Sequence, residues 1–110
     1  MSGQDLLIEL SSKVALLDKA LSEFGNRGRT HAKAEQEYRQ ALAKKILVER
    51  DKGTPVTIIS DICRGDPEIA RLKLERDISE VTYKAAAEAI QVYKIQIRVL
   101  ENTIDREYRG

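Results

Sequence analysis

The sequence contains no tryptophan, one phenylalanine, one cysteine and two prolines among its 110 residues. The shortage of aromatic rings disfavours a base-stacking surface for single-stranded nucleic acid. A single cysteine, Cys63, cannot form a disulfide within the chain. No secretory signal peptide and no apolar run long enough to cross a bilayer is recognised. We therefore expect a cytoplasmic protein without membrane contact.

Positive and negative charges are nearly balanced in this sequence. Charged residues make up 34% of the chain, but the net charge is only +1, which disfavours a purely electrostatic nucleic-acid binder. Residues 26–52 depart from this balance, with eight Lys and Arg against four Asp and Glu. Arg27, Arg29 and Lys33 in this basic stretch are the candidate nucleic-acid contacts, so DNA binding stays open as an alternative.

Both prolines lie in one short window that also holds two glycines, and this window predicts a corner between helices. Gly53 suits the position after a helix end, where φ is positive, and Thr54-Pro55 suits the N-cap and first residue of the next helix. Gly65 is interpreted as a second helix stop. Asp66 is the expected N-cap of a helix that begins at Pro67.

The predicted fold is all-α: a long antiparallel helical hairpin, similar to a coiled coil, with a short helix at the corner. The expected helices cover about 4–52, 55–64 and 67–107, within a single domain spanning residues 1–110. Ser2 and Asp5 have the spacing of a capping box at the first helix start.

The last predicted helix carries a strict 3-4 spacing, which we call the seam. Nine of its eleven positions are apolar or aromatic, as a packed helix face requires. The seam residues are Ile69, Leu72, Arg76, Ser79, Tyr83, Ala86, Ile90, Tyr93, Ile97, Leu100 and Ile104.

A second apolar stripe follows the adjacent face of the same helix, and we call it the outer stripe. The combined arc is wider than one partner helix covers, so the sequence predicts a dimer or larger homo-oligomer. The outer stripe consists of Leu74, Ile78, Val81, Ala85, Val92, Ile95 and Val99. The first predicted helix supplies matching apolar positions at Leu7, Leu10, Val14, Leu17, Leu21, Phe24, Tyr38, Leu42 and Ile46.

Residues 25–31 are the one place where the first helix is expected to kink or to open into a loop. Gly25 and Gly28 each cost about 1 kcal/mol relative to alanine in a helix interior, and Asn26 and Thr30 add to the penalty.

The short middle helix is apolar on almost all sides. Its apolar residues are Val56, Ile58, Ile59, Ile62 and Cys63. Such a helix is usually buried, so we expect it to plug the end of the hairpin; the alternative is a docking patch. Cys63 is interpreted as a small apolar residue rather than a reactive thiol.

Chemistry-bearing residues are sparse and scattered. His31 is expected to be a surface histidine, Glu35 and Glu37 point to different sides of a helix, and no His, Cys or Asp cluster has metal-ligand spacing. We predict no enzyme activity, no cofactor and no metal.

Two further motifs have a simpler explanation. Arg64-Gly65-Asp66 spells an integrin tripeptide, but capping accounts for Gly65 and Asp66. The corner also resembles a helix-turn-helix that would present Arg71, Lys73 and Arg76 to a DNA groove. Asp66 and Glu68 would then face phosphate, and the following helix is far longer than a recognition helix.

Segments 37–47 and 55–66, followed by 68–70, 75–77, 83–84 and 98–101, resemble a family of small helical proteins from phages and prophages of Gram-positive bacteria. The resemblance covers about two thirds of the chain, from residue 37 onward. It implies an accessory role among phage early genes and brings no known active site.

Three functions remain open at this stage. The first is a non-catalytic interaction module that acts in the host cytoplasm on a protein of host or phage, for example by blocking or redirecting a defence effector. The second is a DNA-binding accessory factor for phage replication or recombination. The third is a structural coiled-coil assembly element.

Overall fold

The computed structural model describes residues 2–109, and all regular secondary structure in that range is helical. Helix α1 spans Gly3–Asp51, α2 spans Val56–Gly65 and α3 spans Pro67–Arg109. The two long helices, α1 and α3, pack against each other as a hairpin. The predicted all-α hairpin with a short corner helix is therefore confirmed.

Helix α1 begins at the predicted capping box. The Asp5 N–H donates to Ser2 Oγ at 3.1 Å, and the Ser2 N–H donates to Asp5 Oδ2 at 3.3 Å. These reciprocal bonds satisfy backbone donors that the first helical turn leaves without a partner.

Helix α1 continues without interruption through residues 25–31, so the predicted loop there is wrong. The propensity penalty of Gly25 and Gly28 is outweighed because tertiary packing, rather than propensity, supplies most helical stability in proteins. Side chains near this segment, Phe24 and His31, contact α3. The alternative, a kink within a continuous helix, stays a prediction.

The chain divides into two units, and each contains a stretch of α1 packed on a stretch of α3. Unit 1 combines residues up to 26 with those from 83 onward. In it, the rings of Phe24 and Tyr83 stack with centroids 4.9 Å apart at 18°. Its buried apolar residues are Leu6, Ile90 and Leu100.

Unit 2 comprises residues 27–82 and therefore holds all of α2. Its buried apolar residues are Ile59 and Cys63 from α2, and Ile69 and Leu72 from α3. Helix α2 therefore packs one side into the core of this unit.

Every position of the seam on α3 is buried or half-buried. Ile69, Leu72, Ile90 and Leu100 are among its most buried members. Because fully burying an isoleucine or leucine side chain contributes about 1.5–3 kcal/mol, the seam accounts for much of the stabilisation within each unit.

The outer stripe has the opposite character, and all seven of its residues are exposed. Its six large side chains keep between 48% and 67% of their surface accessible. Each stripe position lies two residues from a seam position, which is about 200° around an α-helix, so the stripe is on the side of α3 opposite the seam and not on the adjacent face as expected. Neither unit supplies a helix that covers this side of α3.

Charge placed in the seam should unfold the protein, whereas charge in the outer stripe should not. Ile90 is 6% exposed and Ile95 is 57% exposed, although both lie on α3 within unit 1. Ile90→Asp buries an unpaired carboxylate, and we expect it to abolish cooperative thermal unfolding. The matched variant Ile95→Asp should retain the helical circular-dichroism signal. Equal loss of helix in both variants would contradict the assigned faces.

Candidate protein-interaction groove

The corner begins where Gly53 ends α1 in the expected left-handed conformation, with φ at +81°. The Gly53 N–H donates to Arg50 O at 3.0 Å and the Thr54 N–H donates to Glu49 O at 3.1 Å. This is the Schellman pattern, in which the last helical carbonyls gain donors from beyond the helix end. The prediction for Gly53 is confirmed.

The predicted N-cap role of Thr54 is wrong. Pro55 occupies the N-cap position of α2 with φ −57° and ψ 132°, and no side chain caps that helix. Thr54 instead donates its hydroxyl to Glu49 Oε2 at 2.8 Å. The hydroxyl is therefore committed to a carboxylate of the preceding helix.

Helix α2 ends at Gly65, as predicted, but Gly65 does not have the positive φ that ends α1 at Gly53. Asp66 leaves the helix with φ −70° and ψ 125°, because Pro67 disfavours the α conformation in the residue before it. Asp66 Oδ1 accepts the Ile69 N–H at 3.0 Å, so its predicted N-cap role is confirmed.

Four polar side chains join α1, the corner loop and α3, and we call them the corner cluster: Lys45, Glu49, Thr54 and Asp66. Glu49 is only 6% exposed. Lys45 Nζ lies 3.2 Å from Glu49 Oε1 and 3.7 Å from Asp66 Oδ2. One ammonium group therefore links the end of α1 to the N-cap of α3.

The corner cluster shifts the pKa values of its members. Hydrogen bonds from Thr54 and then Lys45 lower the pKa of Glu49. The Ile69 N–H, with a further contribution from Lys45, lowers the pKa of Asp66. The hydrogen bond to Glu49 raises the pKa of Lys45. All three shifts favour the charged forms, which are the forms that the geometry pairs.

These directions predict the response of stability to pH. A carboxyl with a lowered folded pKa stabilises the fold above its unfolded pKa, and this contribution is lost as the pH falls through the folded pKa. We therefore expect the melting temperature to fall as the pH decreases from 7 to below about 4. Glu49→Gln should flatten this dependence, since the amide does not titrate. Thermal melts at several pH values measure both effects.

The matched control is Glu37→Gln, which neutralises an exposed carboxylate on α1. It should keep the pH profile of the unmodified protein. If Glu49→Gln and the unmodified protein lose the same number of degrees between pH 7 and 3, the corner cluster is not the source of acid sensitivity.

Helix α2 is buried on one side only. Ile59 and Cys63 are buried and Ile62 is half-buried, but Val56 is 74% exposed and Ile58 is also exposed. The expectation of a helix covered on all sides is therefore wrong for Val56 and Ile58. Residues 56, 59 and 63 follow the 3-4 spacing of one helix face. This face is buried at Ile59 and Cys63 but exposed to solvent at its first residue, Val56.

Next to this edge lies an apolar groove with a volume of about 790 Å³, formed by all three helices within unit 2. We call it the groove. Its principal apolar walls are Leu42 and Ile46 from α1, Ile59 and Cys63 from α2, and Ile69 and Leu74 from α3. A concave apolar surface of this kind is the usual setting of a binding site.

The rim of the groove is mainly cationic. Arg50, Arg64 and Lys73 lie along it, and its one carboxylate, Asp77, pairs with Arg76 at 2.8 Å. Arg64 Nη1 lies 3.6 Å from Asp61 Oδ1. Within residues 2–109, no ion pair engages Arg50 or Lys73. The rim therefore presents positive charge to whatever occupies the groove.

The two polar seam positions meet polar partners on α1. The guanidinium of Arg76 lies 4.6 Å from the centre of the Tyr38 ring, and Arg76 Nε lies 3.6 Å from Glu35 Oε2. His31 Nδ1 and Ser79 Oγ are 3.0 Å apart, and the Ser79 hydroxyl donates to Arg76 O at 2.7 Å. We call these five side chains the polar layer.

His31 is half-buried in the polar layer rather than a surface residue, so that expectation is wrong. The reason is its position opposite Ser79, a buried polar seam residue whose hydroxyl donates to Arg76 O and whose oxygen can accept a hydrogen bond from the imidazole.

The residues singled out for nucleic acid do not form one surface. Arg27, Arg29 and Lys33 are exposed on α1. Arg29 and Lys33 are one turn apart on the same face, but Arg27 lies two residues before Arg29 and so faces a different side.

Arg71, Lys73 and Arg76, the cations that a helix-turn-helix would present to DNA, make contacts in three different places. Arg71 pairs with Glu68 at 2.6 Å and with Glu75 at 2.7 Å. Lys73 lies on the groove rim, and Arg76 belongs to the polar layer. They do not together present a recognition face.

The part of the chain that the structure describes contains no group of three or more His, Cys, Asp or Glu residues placed to hold a metal. Over the same residues, no helix has the length and apolarity needed to span a membrane. Comparison with known protein families, curated proteins and solved structures finds no match for this chain.

Sequence reasoning identified Asp66 but missed its connection to Lys45 and Glu49. A signal was present, because Leu42, Ile46 and Glu49 continue the apolar 4-3 spacing of the first helix. A carboxylate at a core-facing position requires a partner, and Lys45 stands one helical turn before it.

Proposed function

We propose that this chain is a non-catalytic protein-interaction module that binds its partner in the groove. The observation that carries the proposal is the pairing of an apolar concavity with a cationic rim on which Arg50 and Lys73 have no ion pair within residues 2–109. Apolar walls supply affinity, whereas charges at a rim select the partner and its orientation.

The occupant that fits this surface is an amphipathic helix with an acidic flank. A helix satisfies its own backbone hydrogen bonds, which matters because no strand edge exists in residues 2–109 to pair with an extended peptide. Its apolar face would lie on Leu42, Ile46 and Val56. Glutamate or aspartate beside that face would approach Arg50 and Lys73.

The resemblance to phage early proteins suggests where such a helix comes from. We propose a protein of the bacterial host, such as a defence effector, met in the host cytoplasm and blocked or redirected by binding. We further propose that the module self-associates, since the outer stripe is exposed in both units.

A charge-exchange experiment tests the groove. The probe is a fluorescent amphipathic helical peptide with leucine on one face and glutamate on its flanks; a second peptide replaces each glutamate with lysine. We expect the acidic peptide to bind at least tenfold more tightly in fluorescence anisotropy. Arg50→Glu/Lys73→Glu should reverse this preference, because it inverts the charge of the groove rim. Both side chains are exposed, so we expect the variant to fold.

The control is Arg27→Glu/Arg29→Glu/Lys33→Glu, which changes three charges elsewhere on α1 and should leave peptide selection unchanged. Equal binding of both peptides would refute the proposed occupant. Titration of labelled duplex DNA addresses the alternative of a DNA accessory factor. Salt-sensitive DNA binding near physiological ionic strength that disappears in this triple variant would favour that alternative.

A further inference from the structure

The outer stripe has an internal symmetry that goes beyond its apolar character. It follows a single continuous helix, α3. Measured from the midpoint between Ala86 and Ala87, six of its seven positions pair with one another at equal distances, and the seventh, Ala85, pairs with Glu88, which is not part of the stripe. The pairs are Leu74 with Val99, Ile78 with Ile95, Val81 with Val92, and Ala85 with Glu88.

Any regular 3-4 spacing has this symmetry, so the stripe is compatible with an antiparallel pair of identical helices, and the charged residues within and beside it decide the orientation. A twofold axis at the midpoint places each residue of one helix opposite its counterpart in the other. Three apolar layers then form on each side of the axis, with the a-to-d alternation of an antiparallel coiled coil. In the described chain all of these side chains remain exposed.

We infer that a second copy of this chain covers the outer stripe, with the two α3 helices antiparallel about a twofold axis between Ala86 and Ala87. The inference rests on the proposed self-association and specifies its geometry. Leu74, Ile78 and Val81 of one copy pack on Val99, Ile95 and Val92 of the other.

The charge beside the outer stripe agrees with this orientation. Asp77 and Arg98 occupy equivalent positions flanking the outer stripe, and the antiparallel register brings Asp77 of one copy to Arg98 of the other. The interaction occurs twice by symmetry. Asp77 is half-buried and pairs with Arg76 at 2.8 Å within its own copy, whereas Arg98 is exposed. Within residues 2–109, Arg98 has no ion pair, so its charge is available for this contact.

Glu88 distinguishes the antiparallel arrangement from a parallel one. In a parallel pair in register, Glu88 would face Glu88 of the second copy, and like charges in a helix interface are destabilising. In the antiparallel pair it faces Ala85, a small residue, with Lys84 of the second copy beside it. The one charged side chain within the layers therefore opposes the parallel alternative.

Cysteine cross-linking tests the register. Ile78→Cys and Ile95→Cys are prepared as separate full-length variants, mixed and oxidised. A disulfide needs Cα atoms within about 7 Å, so we expect the mixed pair to cross-link to a heterodimer. Each variant alone should not cross-link efficiently, because its two cysteines lie about 26 Å apart along the axis. The unmodified protein, whose Cys63 is buried, is the background control.

Sedimentation equilibrium separates this inference from the proposed self-association on which it rests. We expect a dimer at micromolar concentration, weakened at least tenfold in Ile95→Asp and several-fold in Arg98→Asp. Asp77→Lys/Arg98→Asp, which exchanges the two charges, should recover most of the affinity lost in Arg98→Asp. A folded monomer in the unmodified protein would overturn both proposals. A dimer in which Ile78→Cys alone cross-links efficiently would overturn the antiparallel register only.

Discussion

The buried carboxylate of Glu49 is the constraint on which the corner depends. A charge with 6% exposure is tolerated only when it is paired, and Thr54, Lys45 and the end of α1 all adjust to it. Thr54 donates its hydroxyl to Glu49 and does not cap α2 as predicted, and Pro55 occupies the N-cap position. Lys45 extends the same network to Asp66, which begins α3. The groove in unit 2 thus lies beside a corner whose polar groups satisfy one another.

The apolar seam stabilises the hairpin, and the polar layer selects the register in which α1 and α3 pack. Apolar contacts stabilise many registers of two amphipathic helices almost equally, because leucine and isoleucine side chains are not directional. Arg76 and Ser79 also bond within α3, to Asp77 and to Arg76 O, but each makes a further directional contact with α1. Arg76 contacts Tyr38 and Glu35, and Ser79 contacts His31, so these contacts favour one register over the others. A single polar position in a coiled coil is known to select register at some cost in stability.

Much of the fold could be predicted from the sequence because its signals are local. Proline, glycine and the 3-4 apolar spacing identified three helices, and Gly53, Asp66 and the Ser2–Asp5 capping box have their expected roles. The predictions that were wrong involve groups whose fate is decided by another helix. Residues 25–31 stay helical while neighbouring side chains pack on α3, His31 meets Ser79, and Thr54 meets Glu49. The cationic rim was also missed, because Arg50 and Lys73 come together only after α1 folds back against α3.

The hydroxyl of Ser79 determines which nitrogen of the His31 ring carries hydrogen. A hydroxyl owns one proton, and Ser79 donates it to Arg76 O. Towards His31 the oxygen acts as an acceptor, so Nδ1 of the imidazole must carry hydrogen. The contact between α1 and α3 at this point therefore fixes which ring nitrogen faces Ser79 and bears hydrogen, an orientation that apolar contacts between the same two helices could not set.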